Sequence, residues 1–165
     1  MTTAAKAGLV GRAAADEVES LMMTLNRPAR DAMVRYRVHA CTDVTGFAVM
    51  GHMLEMAQGA DAAIELEAAA FELLDGARDL AAMGIVPAGA YRNRRYAEDA
   101  ADLSGIPLDM ADVLFDPQTS GGLMISVDPA DASALLADLD PVVPAARLVG
   151  HVVEHEPGSS RVRVH

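Results

Sequence analysis

Three short segments of this chain carry residue types that could do chemistry. The first is Cys41-Thr42-Asp43-Val44-Thr45-Gly46-Phe47, continuing to Gly51-His52. Asp43 follows an apolar run and precedes a helix start. A carboxylate at a strand end can face a cleft and give oxygen to Mg²⁺, a hard cation that prefers carboxylate, water and phosphate ligands. An Asp or Thr in the same place can instead cap the helix that follows, and spacing alone favours the cap. Thr45 is the better-placed cap, which leaves Asp43 freer for other work. Cys41 has no activating group beside it, and a small thiol in a buried strand is expected to be inert. His39 and His52 flank the segment, but their spacing does not bring them together, and a lone His is usually structural.

The second segment is Asp116-Pro117-Gln118-Thr119-Ser120-Gly121-Gly122. Glycines let backbone N–H groups come close to a ligand, and Thr119 and Ser120 add donors, so the segment could cradle an anion. A tight turn feeding the next strand would use the same residues. It is not a P-loop, because no Gly-Lys-Ser/Thr ending is present. The third segment, Pro87 to Asn93, opens the densest basic cluster, Arg92, Arg94 and Arg95. Arginines there could meet a phosphate or a carboxylate, or simply be solvated in a loop.

The elements that must position these segments can be read from periodicity. Residues 14–24 read as a helix with Val18, Leu21, Met22 and Leu25 on one face. Asn26-Arg27-Pro28 stops it, and Pro28 suits the first turn of a second helix to about Tyr36. Residues 38–44 read as a short buried strand, and 46–58 as a helix with Phe47, Met50, Leu54 and Ala57 at helical spacing. A strand is expected over 63–66, an amphipathic helix over 68–83 ending at Gly84, and a loop through the GIVPAGAYRNRRY segment. Two short helical pieces follow, around 95–103 and 108–114. The 116–122 segment is an irregular loop before a strand at 123–127. Asp128-Pro129 opens a helix over 129–139 as N-cap and first-turn proline. Strands at 146–154 and 161–164 close the chain. The irregular alternation gives an α+β fold, a mixed β-sheet layered with helices.

Composition narrows the function classes. The 165 residues fit one domain, and a 52% hydrophobic content supports a packed core. With no Trp, 4% aromatics and ten Met, that core must be soft and aliphatic, with no platform for stacking bases. The formal charge of −11 opposes phosphate backbones, so no nucleic-acid partner is expected. One cysteine excludes an intrachain disulfide, in agreement with a cytoplasmic setting. No apolar run reaches the roughly 20 residues a membrane span needs, so no membrane association is expected.

TDVTGF followed by GH, then PAGAYRN, then FDPQTSGGL, in this order and spacing, closely resembles the selenophosphate synthetases (selenide, water dikinases). The opening TTAAKAGL and the closing LVGHVVE are similar to the ends of that family's C-terminal domain, so the resemblance covers nearly the whole chain. DPQTSGG alone would indicate only the broader aminoimidazole ribonucleotide synthetase-like superfamily. The resemblance implies a single C-terminal domain over 1–165, with the N-terminal ATP-binding and catalytic domain absent from this chain. It implies ATP, selenide and water going to selenophosphate, AMP and phosphate, with Mg²⁺. It places Asp43 on the metal, which reverses the order that spacing gave. Thr42, Asp116, Gln118, Thr119, Ser120, Gly121 and Gly122 are then candidate nucleotide-site residues. The family's nucleophile and its partner Lys belong to the N-terminal domain, so no catalytic residue is expected here and the isolated chain should be inactive. The partners implied are that N-terminal domain and a second copy in a homodimer. The alternatives are another ATP-dependent enzyme of the superfamily, or a stand-alone binding or assembly module. Two positions depart from the family: Ala48 stands where TGFG has glycine, and Ala88 interrupts Pro-Gly-Gly.

Overall fold

The order of elements is set by apolar segments too short to bury themselves, which pair into two sheets with helices against them. The computed structural model describes residues 1–165. Helices α1 (Thr2–Lys6), α2 (Arg12–Met23) and α3 (Arg27–Met33) lead into strand β1 (Val38–Asp43). Helix α4 (Ala48–Gly59) and strand β2 (Ala62–Leu66) follow, then a 3₁₀ turn at Ala68–Ala70. Next come α5 (Ala77–Ala82), α6 (Ala88–Ala97), β3 (Ala101–Asp102) and α7 (Leu108–Leu114). Strand β4 (Leu123–Val127), α8 (Pro129–Leu139), β5 (Gly150–Glu154) and β6 (Val162–Val164) complete the chain. No helix is long and apolar enough to cross a membrane.

The larger sheet runs β3-β6-β2-β5, with β6 parallel to both β3 and β2, and β5 antiparallel to β2. The mixed sheet expected from the sequence is therefore present. Val162 and Val164 of the inner strand β6 are buried, while Arg163 between them turns to Glu65. Alternation of this kind is what a strand with one covered face requires. Met50, Met53, Leu54 and Ala57 of α4 pack with Ile64, Leu66, Val162 and Val164 in the main core, together with Leu114 and Phe115. This is the methionine-rich core that the composition demands.

Strands β1 and β4 form a separate antiparallel ribbon. Leu123, Ile125 and Val127 pack against a second cluster of Ala29 and Ala32 from α3 and Leu135 and Leu139 from α8. Met124 points the other way, into the main core. The ribbon thus joins the two cores. Asp128 caps α8 by accepting the Ala130 N–H at 2.9 Å, as the Asp-Pro pair predicts.

Several expectations need correction. Residues 68–83 are not one helix: Asp75 and Gly76 interrupt them, Gly76 standing at φ 76° before α5 begins. A left-handed residue cannot continue a right-handed helix. The segment 85–97 is not a loop before a 95–103 helix, because α6 starts directly after Pro87. Proline at a helix entrance closes nothing, and Ala90, Asn93 and Ala97 form a buried stripe at helical spacing. The last long strand begins at Gly150, not at 146.

Candidate functional site

Side chains on β1 alternate, so Cys41 and Asp43 share the face of their ladder partners Ile125 and Leu123. That face looks toward α3. Thr42, opposite buried Met124, is on the other face, and its hydroxyl donates to the Asp43 carbonyl at 3.3 Å. Asn26, Arg27, Arg30 and Met33 form one wall of an open groove of ≈ 580 Å³, and Cys41, Thr42, Asp43 and Leu123 form the other. Arg27 and Arg30 both pair with Asp31, at 3.5 and 3.0 Å, rather than with Asp43. The Asp43 carboxylate is exposed at the groove mouth.

The turn that follows Asp43 is held from three directions. The Val44 N–H donates to the Gly122 carbonyl at 2.9 Å, and the Gly121 N–H donates back to the Val44 carbonyl at 3.0 Å. The Gln118 N–H reaches the Thr45 carbonyl at 3.0 Å. A Cβ on Gly121 would collide with the Val44 carbonyl oxygen, so only glycine permits this approach. From α6, the Asn93 side-chain amide donates to the Gly46 carbonyl at 2.9 Å and to the Phe115 carbonyl at 3.2 Å. Asn26 donates to the Gly121 carbonyl at 2.9 Å. Behind the loop, a Cβ on Gly89 would meet the Pro117 ring at 2.5 Å, so α6 seats against that proline through a glycine. The three segments singled out in the sequence therefore meet at one place.

Neither Asp43 nor Thr45 caps α4 through its side chain, which corrects the capping expectation. The Thr45 N–H and hydroxyl instead converge on His52 Nε2, at 3.1 and 3.2 Å. With Nε2 accepting, the ring proton sits on Nδ1 and faces Glu55 at 3.1 Å. His52 is thus a structural brace one turn into α4, while His39 lies exposed on β1. Ala48 opens α4 at φ 62° and is fully buried. An L-residue in that conformation costs roughly 1–2 kcal/mol, which is why glycine is expected there. Ala88 carries no such strain, being exposed and outside the positive-φ residues.

Cys41 is exposed, not buried as expected. Partial desolvation raises its thiol above the ordinary range, and the Asp43 carboxylate raises it further. A thiol held protonated is a poor nucleophile. Burial likewise lifts the half-buried Asp116 carboxyl, opposed by the chain's amino terminus and by the Gln118 amide. Gln118 donates to both the backbone carbonyl and the carboxylate of Asp116, at 2.9 and 3.2 Å. Because the N–H groups of Gln118 and Gly121 are already engaged with the turn after β1, the loop is first a brace. Its solvent-facing part is Thr119 and Ser120, the latter at φ 58°. Of the basic cluster, Arg94 is committed to Asp112 and lies over the Phe115 ring at 5.7 Å, while Arg92 and Arg95 are exposed on α6.

No group of three or more His, Cys, Asp or Glu could hold a metal ion unaided. A single exposed carboxylate fits Mg²⁺ as one ligand, because Mg²⁺ is commonly held by one or two carboxylates with water and substrate phosphate completing its shell. Sequence reading missed Asn26, which read only as a helix stop, and Asn93, which fell in an expected loop. The spacing of Ala90, Asn93 and Ala97 was the available signal: a polar residue on an apolar helical face needs partners.

The family described as AIR synthase related protein, C-terminal domain, matches residues 1–163. Selenide, water dikinase of Clostridium botulinum is 42% identical over 155 residues, covering 93% of this chain and 45% of that protein. The Clostridioides difficile selenide, water dikinase is 40% identical over 156 residues, covering 93% of this chain and 44% of that protein. The chain spans under half the length of these curated relatives. A crystal structure of E. coli HypE, a hydrogenase maturation protein, superposes with a TM-score of 0.55 at 21% identity, covering 87% of this chain and 36% of that chain. At that identity the likeness is one of fold.

Proposed function

Since the chain belongs to the AIR synthase related family as its C-terminal domain, we propose that it forms the metal-facing half of a selenide, water dikinase. Its relatives at about two-fifths identity carry that name. The reaction would convert ATP, selenide and water into selenophosphate, AMP and phosphate. The observation that carries the reading is Asp43, an exposed carboxylate whose turn is fixed by Gly121, Gly122, Gln118 and Asn93 at the mouth of an arginine-walled groove.

In this reading Asp43 supplies one hard oxygen to Mg²⁺ on the nucleotide. Bound there, the ion would neutralise charge developing on the transferring phosphoryl group. Asn93 and the 116–122 loop hold the carboxylate's position, so little reorganisation is left for the reaction itself. Thr119 and Ser120 are exposed and are the loop's free hydroxyl donors. Cys41, with its raised thiol, is no nucleophile, and the group that attacks belongs to an N-terminal partner domain. The exposed side chains of Met23, Leu25 and Phe47 support burial against that domain or a second copy in a homodimer. The setting would be cytoplasmic.

The test is a hybrid in which residues 1–163 replace the matching segment of the Clostridioides difficile relative. It should form AMP only with selenide present, whereas this chain alone should form none. Asp43→Asn in the hybrid should lower turnover about tenfold to a thousandfold, since one charged ligand in such a site is worth about 1.4–4 kcal/mol. Unchanged turnover in a folded Asp43→Asn hybrid would sink the metal-ligand role.

A further inference from the structure

The groove beside Asp43 carries both signs of charge on facing walls. Asp43 stands on β1, and Arg27 and Arg30 stand one turn apart on α3, where residues three apart share a face. Most other arginines of this acidic chain pair with a carboxylate that no second arginine shares, among them Arg78 with Asp109, Arg94 with Asp112, Arg161 with Asp61 and Arg163 with Glu65. Arg27 and Arg30 instead share a single carboxylate, Asp31, so this stretch of α3 carries one positive charge more than its own carboxylate offsets, against the single negative charge of Asp43. Their side chains remain largely exposed, 77% and 59%, so most of their donors are free. Asp31 anchors one edge of each guanidinium and limits how far either can swing. Met33 on the α3 wall and Leu123 on the opposite wall add apolar surface to the lining.

We propose that Arg27 and Arg30 form the anion half of a two-part subsite, gripping phosphate oxygens of a ligand whose metal ion is held by Asp43. A metal-bound polyphosphate presents a cation and free anionic oxygens a few ångströms apart, and it needs opposite charges on opposite walls. Guanidinium groups suit the oxygens because their planar donors match phosphate edges. A carboxylate alone would repel the phosphate, and two arginines alone would leave the cation unserved. The denser cluster on α6 is the weaker candidate, because Arg94 is locked to Asp112 and Arg92 and Arg95 line no part of this groove. This inference rests on the metal role given to Asp43, but its two halves fail separately.

Inorganic pyrophosphate, with and without Mg²⁺, is the probe, added to the ¹⁵N-labelled 165-residue chain at low salt. Saturable shifts are expected in the Arg27 and Arg30 side-chain Nε–H signals and in the Asn26 amide, and Mg²⁺ should tighten binding. Arg27→Ala/Arg30→Ala should weaken pyrophosphate at least tenfold with and without Mg²⁺. Arg27→Lys/Arg30→Lys keeps the charge but removes the fork, and should recover part of the loss. Asp43→Asn should abolish the Mg²⁺ enhancement while pyrophosphate alone binds as well or better, since a repelling charge is gone. The amide spectrum of each variant reports its fold, and both arginines are exposed enough to be replaced. Shifts centred on Arg92 and Arg95, no saturable shift, or unchanged affinity in a folded double alanine variant would overturn the anion half. An Mg²⁺ enhancement that survives Asp43→Asn, with arginine shifts intact, overturns the metal reading and with it the two-part subsite.

Discussion

Asn93 gives the sharpest test of how the site is held. Its side chain is 7% exposed, and its amide donates to the carbonyls of Gly46 and Phe115. Both partners are acceptors, so the orientation of the amide is forced. Asn93→Ala removes two bonds worth about 0.5–1.5 kcal/mol each and leaves two carbonyls and a small void behind. A loss of about 3 kcal/mol is expected, or roughly 6–12 °C in Tm for a chain of this size. The denaturant midpoint should fall with little change in slope. Asn93→Asp separates the hydrogen-bonding role from packing, because the ionised carboxyl has the same size but only acceptors. Near neutral pH it should be worse than alanine, facing two carbonyl oxygens in a buried place. Burial raises the folded pKa of the introduced carboxyl above its unfolded value of about 3.9. Stability in this variant is therefore fully present below that value and lost as pH rises through the folded pKa. Its protonated form also regains one donor. The gap between the Asp and Ala variants should narrow as pH falls from about 7.5 toward 4. Urea melts across that range provide the measurement. An alanine variant within about 0.5 kcal/mol of the parent, or an Asp variant with no pH trend, would refute the bracing argument.

Gly121→Ala should cost several times more stability than Gly122→Ala, since a Cβ at 121 strikes the Val44 carbonyl while one at 122 meets nothing within 4 Å. Equal midpoints for the two variants would mean that the loop is not pinned to the turn after β1. Asp116 sits in a raised state because burial disfavours its charge. The folded protein carries a penalty that grows as pH rises through that raised pKa and vanishes below about 4. Asp116→Asn should thus be as stable as the parent, or more so, at pH 7, with the advantage gone in acid. A variant less stable at pH 7 would show that the Gln118 amide bond to the carboxylate outweighs the burial penalty.

Periodicity and local chemistry were enough wherever a segment is decided by its own residues. Strand β4 and helices α7 and α8 fall where the sequence puts them, because a short apolar run after a turn, an Asp-Pro entrance and a short helical segment are local facts. The mixed sheet was legible from short apolar runs broken by turns. Asp43 was singled out as a metal candidate only through the order and spacing of three motifs, since its own spacing pointed to a cap. Helix α6 was hidden because its buried stripe is made of Ala and Asn rather than large apolar residues. Such residues earn their burial from neighbours, not from their own hydrophobicity.

Tertiary structure decided what the motifs do together. Asn93 reaches Gly46 across 47 positions, and Asn26 reaches Gly121 across 95. No local pattern encodes bonds of that range, because each depends on where other elements come to rest. It also freed Asp43 by giving Thr45 to His52, and it set Arg27 and Arg30 opposite that carboxylate. The sequence by itself carries the residue types for metal and phosphate chemistry. Which of them share a groove is decided by packing: Gly121 lacks the Cβ that would keep the loop from the turn after β1, and the ribbon between two cores packs against α3 on one side.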